Sequence, residues 1–236
     1  MKIKNIRLSS WLIALLPFNG LRLFAYRAVR RFRIGRNVRI AYAAVLDPDE
    51  AEIGDGARIG SLTVVARTRR FRLGKDAQLG VFVRFLVADD VTIGDGTRVL
   101  TGSYVQGASW MKQLFPDQPD HRGSFVVGDH TLVTGGHFFD ITHDIRIGSN
   151  CAIIGRNSTF WTHGVSMDRG GPIVIQDRSI IGSDCRCVAG VTIAENVLVS
   201  LGSVITRSIL EPDVVAGGVP ARILKRDPDW RRGRKA

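Results

Sequence analysis

Residues 175–205, IQDRSIIGSDCRCVAGVTIAENVLVSLGSVI, repeat an apolar residue at every sixth position. The repeated positions are Ile175, Ile181, Cys187, Ile193, Val199 and Ile205. A period of six fits neither an α-helix, with its period of 3.6, nor a simple alternating strand. It is typical of a parallel β-helix, in which three hexapeptides form one triangular coil and each coil stacks on its neighbours. The sequence therefore predicts an all-β solenoid.

The same pattern extends through the earlier part of the chain. Further coils are predicted to start at Ile34, Ile53, Leu73, Ile93, Val127 and Ile147. Two loop insertions, near 107–124 and 163–172, interrupt it, and insertions in solenoids commonly carry function. We expect a helical segment at 1–33, a β-helix at 34–221 with these two insertions, and a basic tail at 222–236.

The net charge of +11 is concentrated at the two ends of the chain. Residues 1–46 carry +10, residues 222–236 carry +5, and the segment between them carries −4. A nucleic-acid-binding domain is expected to carry positive charge on its folded body, so this distribution argues against nucleic acid as a partner. It favours a membrane surface or a small ligand that bears phosphate.

The N-terminal segment predicts one or two amphipathic helices within residues 6–32. Its apolar run at 11–18 is far shorter than the roughly 20 residues that span a bilayer. Two roles stay open: the helices cap the end of the solenoid, or they also lie on an anionic membrane face. On the second interpretation, the protein is cytoplasmic and attaches peripherally to the inner face of the membrane.

Two histidines occupy matching positions in the interrupted coils. His143 lies 16 residues after Val127, His163 lies 16 residues after Ile147, and each follows a threonine. Coils stack about 4.8 Å apart, so we expect the two rings to lie at the same corner. Imidazole titrates near neutral pH, and His163, which opens a loop, is the candidate general base. His143 either orients His163 or packs beneath it, and His137 is a candidate substrate contact.

A zinc site made by His137, His143 and His163 is an alternative to this chemistry, because zinc needs three or four convergent ligands. The three cysteines are an odd number and suggest reduced thiols in the cytosol rather than a disulfide framework. Cys185 and Cys187 fall on positions that point into the coil, so neither is expected to act as a nucleophile.

With the hexapeptides, the loop TFWTHG at 159–164 and the ending GGVPARILKR at 217–226 in view, roughly residues 34–226 resemble the left-handed β-helix acyltransferases. They look similar to the branch that acetylates sugars and surface polysaccharides, such as galactoside and maltose acetyltransferases. The resemblance implies a homotrimer with active sites between subunits, acetyl-CoA as co-substrate, and no metal. It also implies that His163 deprotonates a sugar hydroxyl for direct attack on the thioester.

The resemblance further implies which residues hold the co-substrate. The positions that match the CoA site of the family are Ser183, Leu201 and Thr206, with Arg222 and Lys225 for the phosphates. Trp110 and Trp161 are candidate acceptor contacts, because aromatic faces suit sugar rings. The acceptor is then a sugar, a nucleotide-sugar or a lipid-linked glycan. Three alternatives stay open: N-acetylation of an amino sugar, a zinc protein similar to γ-class carbonic anhydrase, and a non-catalytic solenoid.

Overall fold

A computed structural model describes residues 6–108, 122–164 and 170–226. After two helices, α1 (Leu8–Ala14) and α2 (Asn19–Arg30), the chain passes repeatedly through three sheets, which we call A, B and C. One strand in each sheet makes one coil, and eight coils follow one another within the described residues. The fold is a left-handed β-helix with an N-terminal helical segment, as the sequence predicts.

The strands within each sheet are parallel, apart from one antiparallel hairpin at the end of sheet B. Sheet A contains β1 (Arg33–Ile34), β4 (Glu50–Ile53), β7 (Arg70–Leu73), β10 (Asp90–Ile93), β13 (Phe125–Val127), β16 (Ile145–Ile147), β19 (Ile173–Ile175) and β22 (Thr192–Ile193). Sheet B contains β2 (Arg39–Ile40), β5 (Arg58–Ile59), β8 (Gln78–Leu79), β11 (Arg98–Val99), β14 (Leu132–Val133), β17 (Ala152–Ile153), β20 (Ile180–Ile181), β23 (Leu198–Val199), β25 (Val214–Gly217) and β26 (Arg222–Arg226). Sheet C contains β3 (Val45–Asp47), β6 (Val64–Ala66), β9 (Arg84–Leu86), β12 (Tyr104–Gln106), β15 (Phe138–Asp140), β18 (Thr159–Trp161), β21 (Arg186–Cys187) and β24 (Val204–Ile205).

The strand register confirms the six-residue period. In sheet A, Ile34 lies opposite Ile53, and the column continues through the predicted coil starts to Ile193. From Ile53 onward the residues of this column are buried in the interior of the solenoid. Because one coil cannot bury its apolar side alone, this continuous column is the core that holds the coils together.

The three corners between sheets differ in how they are built. The chain turns tightly at the AB and BC corners, whereas both insertions leave at the CA corner, after β12 and after β18. The coil between the two insertions turns through residues 141–144 at the same corner. The ends of both insertions that the structure describes therefore lie at one corner of the solenoid.

Helix α2 covers the open edge of the first coil. The Asn19 side chain donates to the carbonyl of Val38 and accepts from the amide of Ile40, as a neighbouring strand would. The Tyr26 hydroxyl donates to the carbonyl of Ala44, 3.1 Å away, and accepts from the amide of Leu46. These contacts satisfy backbone groups that an exposed edge would offer to another chain. Among the described residues, no helix is long and apolar enough to cross a membrane.

A buried ion pair fastens the helices to β3. Asp47 accepts hydrogen bonds from the Ser10 hydroxyl, the Arg7 amide and the Arg30 guanidinium, and both Asp47 and the Arg30 side chain are buried. Burial alone would raise the pKa of Asp47, but the bonds from Arg30, Arg7 and Ser10 outweigh it and hold the pKa below its ordinary value. Asp47 is therefore ionised in the folded protein at neutral pH.

A hairpin closes the other end of the solenoid. Strand β25 pairs with β23, and β26 turns back antiparallel along β25, so that Arg222 lies opposite Gly217. The segment between them bonds to the last strand of sheet C, because Val204 donates to the carbonyl of Gly218 and accepts from the amide of Ala221. The predicted tail at 222–236 thus begins with a strand of sheet B, and residues 227–236 lie outside the described part.

Replacing Asp47 with asparagine should destabilise the protein by about 3 kcal/mol, because it leaves the buried Arg30 without its counter-charge. Its pKa is lower when folded, so this stabilisation is present above the unfolded value of 3.8 and disappears as the pH falls through the folded value. Urea unfolding at neutral pH measures the loss. The control is Glu52→Gln, which removes an exposed pair with Arg33 and should cost less than about 1 kcal/mol. Equal costs for the two variants would contradict the role given to Asp47.

Candidate active site

The CA corner brings His143 and His163 together where the two insertions return to the coils. Gly123 ends the first insertion and donates from its amide to the carbonyl of Ile141. Gly170 lies against the His143 ring so closely that any side chain there would collide with it. Gly171 donates to the carbonyl of Thr162, 2.9 Å away. Both returns therefore pack on the short turn that carries His143.

The two histidines are not in the same register position, in contrast to the prediction from their equal spacing. Sheets A and B pair these coils with an offset of 20 residues, but in sheet C Phe139 lies opposite Phe160, an offset of 21. The extra residue is in the BC turn, where residues 155–157 replace the two-residue turn 135–136. Continued past the strands, this register sets His163 beside Thr142 rather than beside His143.

His163 is held by a carboxylate that the sequence analysis did not single out. Asp140, the last residue of β15, lies opposite Trp161, and its Oδ2 atom is 2.7 Å from His163 Nδ1. The Asp140 side chain is 6% exposed and that of His163 is 23% exposed. A buried carboxylate bonded to one nitrogen of a partly exposed imidazole is the arrangement that orients a catalytic base.

Two buried threonines complete the contacts of Asp140. The Thr142 hydroxyl donates to Oδ1 at 2.8 Å, and the Thr162 amide donates to Oδ2 at 3.0 Å. The Thr162 hydroxyl lies 3.0 Å from Oδ2 and accepts from the amide of His143. Each threonine precedes a histidine in the sequence, so the repeated Thr-His pair supplies donors to one carboxylate. This network fixes the position of Asp140 before any substrate binds.

The contact with Asp140 decides which nitrogen of His163 carries the proton. An ionised carboxylate only accepts, so Nδ1 donates and the neutral ring keeps its lone pair on Nε2. Within the described residues, no hydrogen bond to Nε2 is formed. His163 is therefore oriented to take a proton from a ligand at the CA corner.

The prediction that His143 orients His163 is corrected by this geometry, because the orienting group is Asp140. His143 contributes its backbone amide to Thr162, while its ring packs against Gly170. The sequence contains a signal for this role, since Asp140 ends the otherwise apolar strand FFD. A carboxylate at the end of an apolar strand, next to the insertions, indicates a functional side chain.

His137 is buried, 1% exposed, and this corrects the prediction that it contacts the acceptor. Its Nδ1 accepts from the amide of Ser158, 3.2 Å away, and its Nε2 lies 3.2 Å from the Thr134 hydroxyl. It occupies the inward column that holds Ser103 and Ser158 in the neighbouring coils. Burial lowers the pKa of His137 to about 4, so the ring is neutral and its nitrogens bond to groups inside the coil.

The placement of His137 also bears on the zinc alternative. Both of its ring nitrogens are used inside the coil, so it does not converge with His143 and His163. Among the residues that the structure describes, no group of three or more His, Cys, Asp or Glu side chains is placed to hold a metal ion. The three free cysteines are buried, and burial raises the pKa of Cys185 and Cys187. Cys185 and Cys187 point into the coil, as the six-residue pattern predicts.

An aromatic row leads away from His163 along the outer face of sheet C. The Trp161 ring is 42% exposed, meets the His163 ring edge-on at 6.0 Å, and packs on Phe138 at 4.9 Å. Phe138 in turn contacts Tyr104, whose ring lies 4.2 Å from the Arg84 guanidinium carbon. The row therefore places Trp161 next to the candidate base. Trp110, the other predicted aromatic contact, lies outside the described residues.

The predicted CoA residues fall in three places. Ser183 and the exposed Leu201 stack at the BC corner, next to a groove of about 620 Å³ lined by glycines such as Gly136 and Gly155. Thr206 follows β24 at the CA edge of sheet C, in the outer column that contains Trp161. Arg222 and Lys225 are exposed on β26. One chain thus sets Ser183 and His163 at opposite edges of the same sheet.

Comparisons with known proteins find sequence relatives over most of the chain. No family model matches it. It is 27% identical over 182 residues to the bifunctional protein GlmU of Acinetobacter baylyi, a match that covers 76% of this chain and 37% of that protein. The GlmU protein of Acaryochloris marina is 26% identical over 212 residues, covering 90% and 35% of the two chains. The chain therefore spans about a third of the length of these curated relatives.

Several solved structures are also similar to the chain. A hexapeptide-repeat acetyltransferase from Vibrio cholerae is 19% identical, with 92% of this chain and 86% of that chain covered and a TM-score of 0.39. LpxA from Acinetobacter baumannii is 16% identical, with 87% and 71% covered and a TM-score of 0.48. At these values, the function has to be argued from the residues of the site.

The buried His137 should make stability depend on pH. Its folded pKa of about 4 lies below the ordinary value of 6.5, so the unfolded chain takes up a proton first as the pH falls. Its contribution is complete above pH 6.5 and is lost toward pH 4, on the order of 3 kcal/mol. Unfolding measured across this range should show a flatter profile for His137→Ser, which installs the residue of the adjacent coils. Parallel profiles for the two proteins would contradict the assignment.

Proposed function

We propose that the protein is an acetyl-CoA-dependent O-acetyltransferase that modifies a hydroxyl group of a sugar or of a surface-polysaccharide precursor. The observation that carries the proposal is the His163–Asp140 pair at the CA corner, in which Nδ1 is bonded to a buried carboxylate and the histidine side chain is partly exposed. The hexapeptide repeat and the Gly-Val-Pro-Ala closure, which resemble those of the sugar acetyltransferases, support the same reaction.

The proposed reaction is a direct transfer. His163 Nε2 accepts the proton of the acceptor hydroxyl as its oxygen attacks the carbonyl carbon of the thioester. The carbon–sulfur bond then breaks, and the departing CoA thiolate receives the proton from the imidazolium. Asp140 holds the ring in the productive tautomer and stabilises the positive charge that forms on it. No cysteine takes part, because Cys185 and Cys187 are buried with raised pKa values.

The acceptor is proposed to bind against Trp161. This ring is exposed, lies beside His163 and is supported from behind by Phe138. A sugar ring packed on an indole face brings its hydroxyl groups to a fixed height above the protein surface. The fixed orientation of the acceptor lowers the activation barrier by more than the free energy of its contact with Trp161, because orienting the two reactants removes much of the entropic barrier.

The arrangement of the predicted CoA residues supports a trimer with sites between subunits. Ser183 and the glycine-lined groove lie at the BC corner, while His163 and Thr206 lie at the CA edge, across the width of sheet C. A CoA molecule in the groove of one subunit is better placed to present its thioester to His163 of a neighbouring subunit. Leu201, exposed beside the groove, would then cover part of the bound co-substrate.

A cytoplasmic location, peripheral at the inner face of the membrane, is part of the proposal. All three cysteines are buried thiols rather than disulfides, which is typical of proteins in reducing compartments. The basic N-terminal segment provides the charge that an anionic leaflet attracts.

Replacing His163 with alanine should lower kcat by about two to four orders of magnitude, the usual contribution of a general base. Asp140→Asn should also lower kcat strongly with little change in KM, because it alters the tautomer of His163 and not the binding of substrates. Release of free CoA in the presence of a panel of sugars and nucleotide-sugars measures the rates.

The double variant is the decisive control for this pair. If Asp140 acts through His163, His163→Ala with Asp140→Asn should be no slower than His163→Ala alone. The matched control Glu195→Gln removes an exposed carboxylate that pairs with Arg178, and it should leave kcat unchanged. Activity of His163→Ala within a few-fold of the wild-type protein would remove the histidine from the mechanism.

Arg222 and Lys225 are proposed to bind the phosphates of CoA at the closing hairpin. Each charge-assisted contact should contribute roughly 1.5–3 kcal/mol, so replacing both with alanine should weaken CoA binding about tenfold or more. Dephospho-CoA should be affected less. The control, Arg58→Ala with Arg98→Ala, removes the same charge from sheet B away from the hairpin. Titration calorimetry measures the dissociation constants of CoA and dephospho-CoA for the wild-type protein and both variants, and equal losses for the two ligands would argue against a contact with the 3′-phosphate.

A further inference from the structure

The two N-terminal helices expose large apolar side chains on the face that does not pack on the solenoid. In α1, Leu8, Trp11, Leu12 and Leu15 follow the spacing of one helical stripe and are 44–72% exposed. Ser10, Ile13 and Ala14 occupy the opposite, buried face. Phe18, Leu21 and Phe24 continue the exposed set into α2. Helix α1 therefore carries apolar side chains on both sides, and capping the first coil explains only the buried one.

The apolar surface continues onto the BC corner of the first coils. Tyr42, Leu62 and Phe82 occupy successive turns of this corner and are 43–54% exposed. The connection to the helices is direct, because the amide of Ala43 donates to the carbonyl of Ala14 at the end of α1. We call the combined set the N-terminal apolar surface. It contains Leu8, Trp11, Leu12, Leu15, Phe18, Leu21, Phe24, Tyr42, Leu62 and Phe82.

Leu62 and Phe82 adopt a backbone conformation that does not suit them. Both have φ of +58°, in the left-handed region that disfavours bulky side chains. In later coils the same turn position is filled by Gly102, Gly136 and Asn157, residues that accept this conformation readily. Among the described residues, large apolar side chains thus combine a positive φ with exposure only at Leu62 and Phe82, in the second and third coils. Stability of the solenoid does not account for them, whereas contact with an apolar phase does.

The charge around this surface indicates what that phase is. No acidic residue occurs between Ile6 and Leu46, whereas Arg27, Arg31 and Arg39 are exposed within this segment. Apolar side chains on a segment of net positive charge match the interface of a bilayer that contains anionic lipids. A second copy of the chain is a poorer match, because it would bring two strongly basic segments together. The geometry and charge thus favour a lipid surface.

We propose that the N-terminal apolar surface docks the protein onto an anionic bilayer, with both helices and the BC corner of the first coils inserted among the headgroups. This assignment deepens the peripheral location proposed above by naming the surface and its orientation. It does not depend on acetyl transfer, since binding to lipid is measured without acetyl-CoA or an acceptor.

The test uses flotation with vesicles of phosphatidylcholine, either alone or with phosphatidylglycerol. The full-length protein should float with the anionic vesicles at low salt and detach in large part at high salt. Leu62→Asn combined with Phe82→Asn should weaken the partitioning about tenfold or more, because two apolar side chains leave the interface. Asparagine tolerates the left-handed conformation, so the unfolding temperature of this variant should be unchanged or higher. Lost binding is then separated from lost folding.

The control is Leu210→Asn, which removes an exposed leucine near the opposite end of the solenoid and should float as the wild-type protein does. A second variant, Leu12→Gln with Leu15→Gln, tests the helix stripe with a residue that keeps helix propensity. The proposal is overturned if the wild-type protein stays in solution with anionic vesicles, or if the asparagine variant floats normally. Dissociation of the oligomer in that variant, measured by sedimentation, would also overturn it and assign the surface to contact between copies.

Discussion

Stacking of one coil on the next is the constraint on which this structure depends. The backbone amides of each coil donate to carbonyls of the next, so the column of every side chain is set by the strands before and after it. Residues about 20 positions apart in the sequence therefore lie side by side, as Asp140 and Trp161 do. Insertions leave and return at a corner without disturbing the columns. The candidate site is a product of this rule, since a carboxylate in one coil holds the histidine of the next.

The stacking of coils explains why the sequence predicts the core of the solenoid but not the register of its turns. One inward position of each hexapeptide is apolar in nearly every coil, so the six-residue period predicts the solenoid and its core. The number of residues in a turn is less constrained. One additional residue in the turn before Ser158 shifts sheet C by one position, and counting from the coil start then pairs His143 with His163. Asp140 was missed for this reason. His137 was misplaced because the column it enters holds small residues in neighbouring coils, and its buried ring is satisfied by Ser158 and Thr134.

The two ends of the solenoid solve the problem of unpaired strands in different ways. At the start, side chains of α2 act as a substitute strand, with Asn19 and Tyr26 bonding to backbone groups of the first coil. At the finish, the chain itself turns back as β26. At the start, one face of α2 supplies the hydrogen bonds that a neighbouring strand would otherwise make. The outer face of the helix is not needed for these bonds, so its residues can change without weakening the contact with the first coil.

Because every coil adds the same rise, the distance between two residues along the solenoid axis follows from the number of coils between them. Each coil adds about 4.8 Å, and the strand before His163 belongs to the sixth coil, so the base lies about 24 Å along the axis from the first coil. Because Phe82, in the third coil, is placed among the headgroups, the imidazole lies about three coils, or about 14 Å, beyond the bilayer surface, and a hydroxyl group must extend that far from its lipid anchor to reach it. Sugars attached directly to the anchor are too close, whereas residues further along a growing glycan arrive at the correct height. The length of the acceptor, and not only the identity of its sugar, then determines selectivity. The number of coils between the bilayer and His163 sets that length.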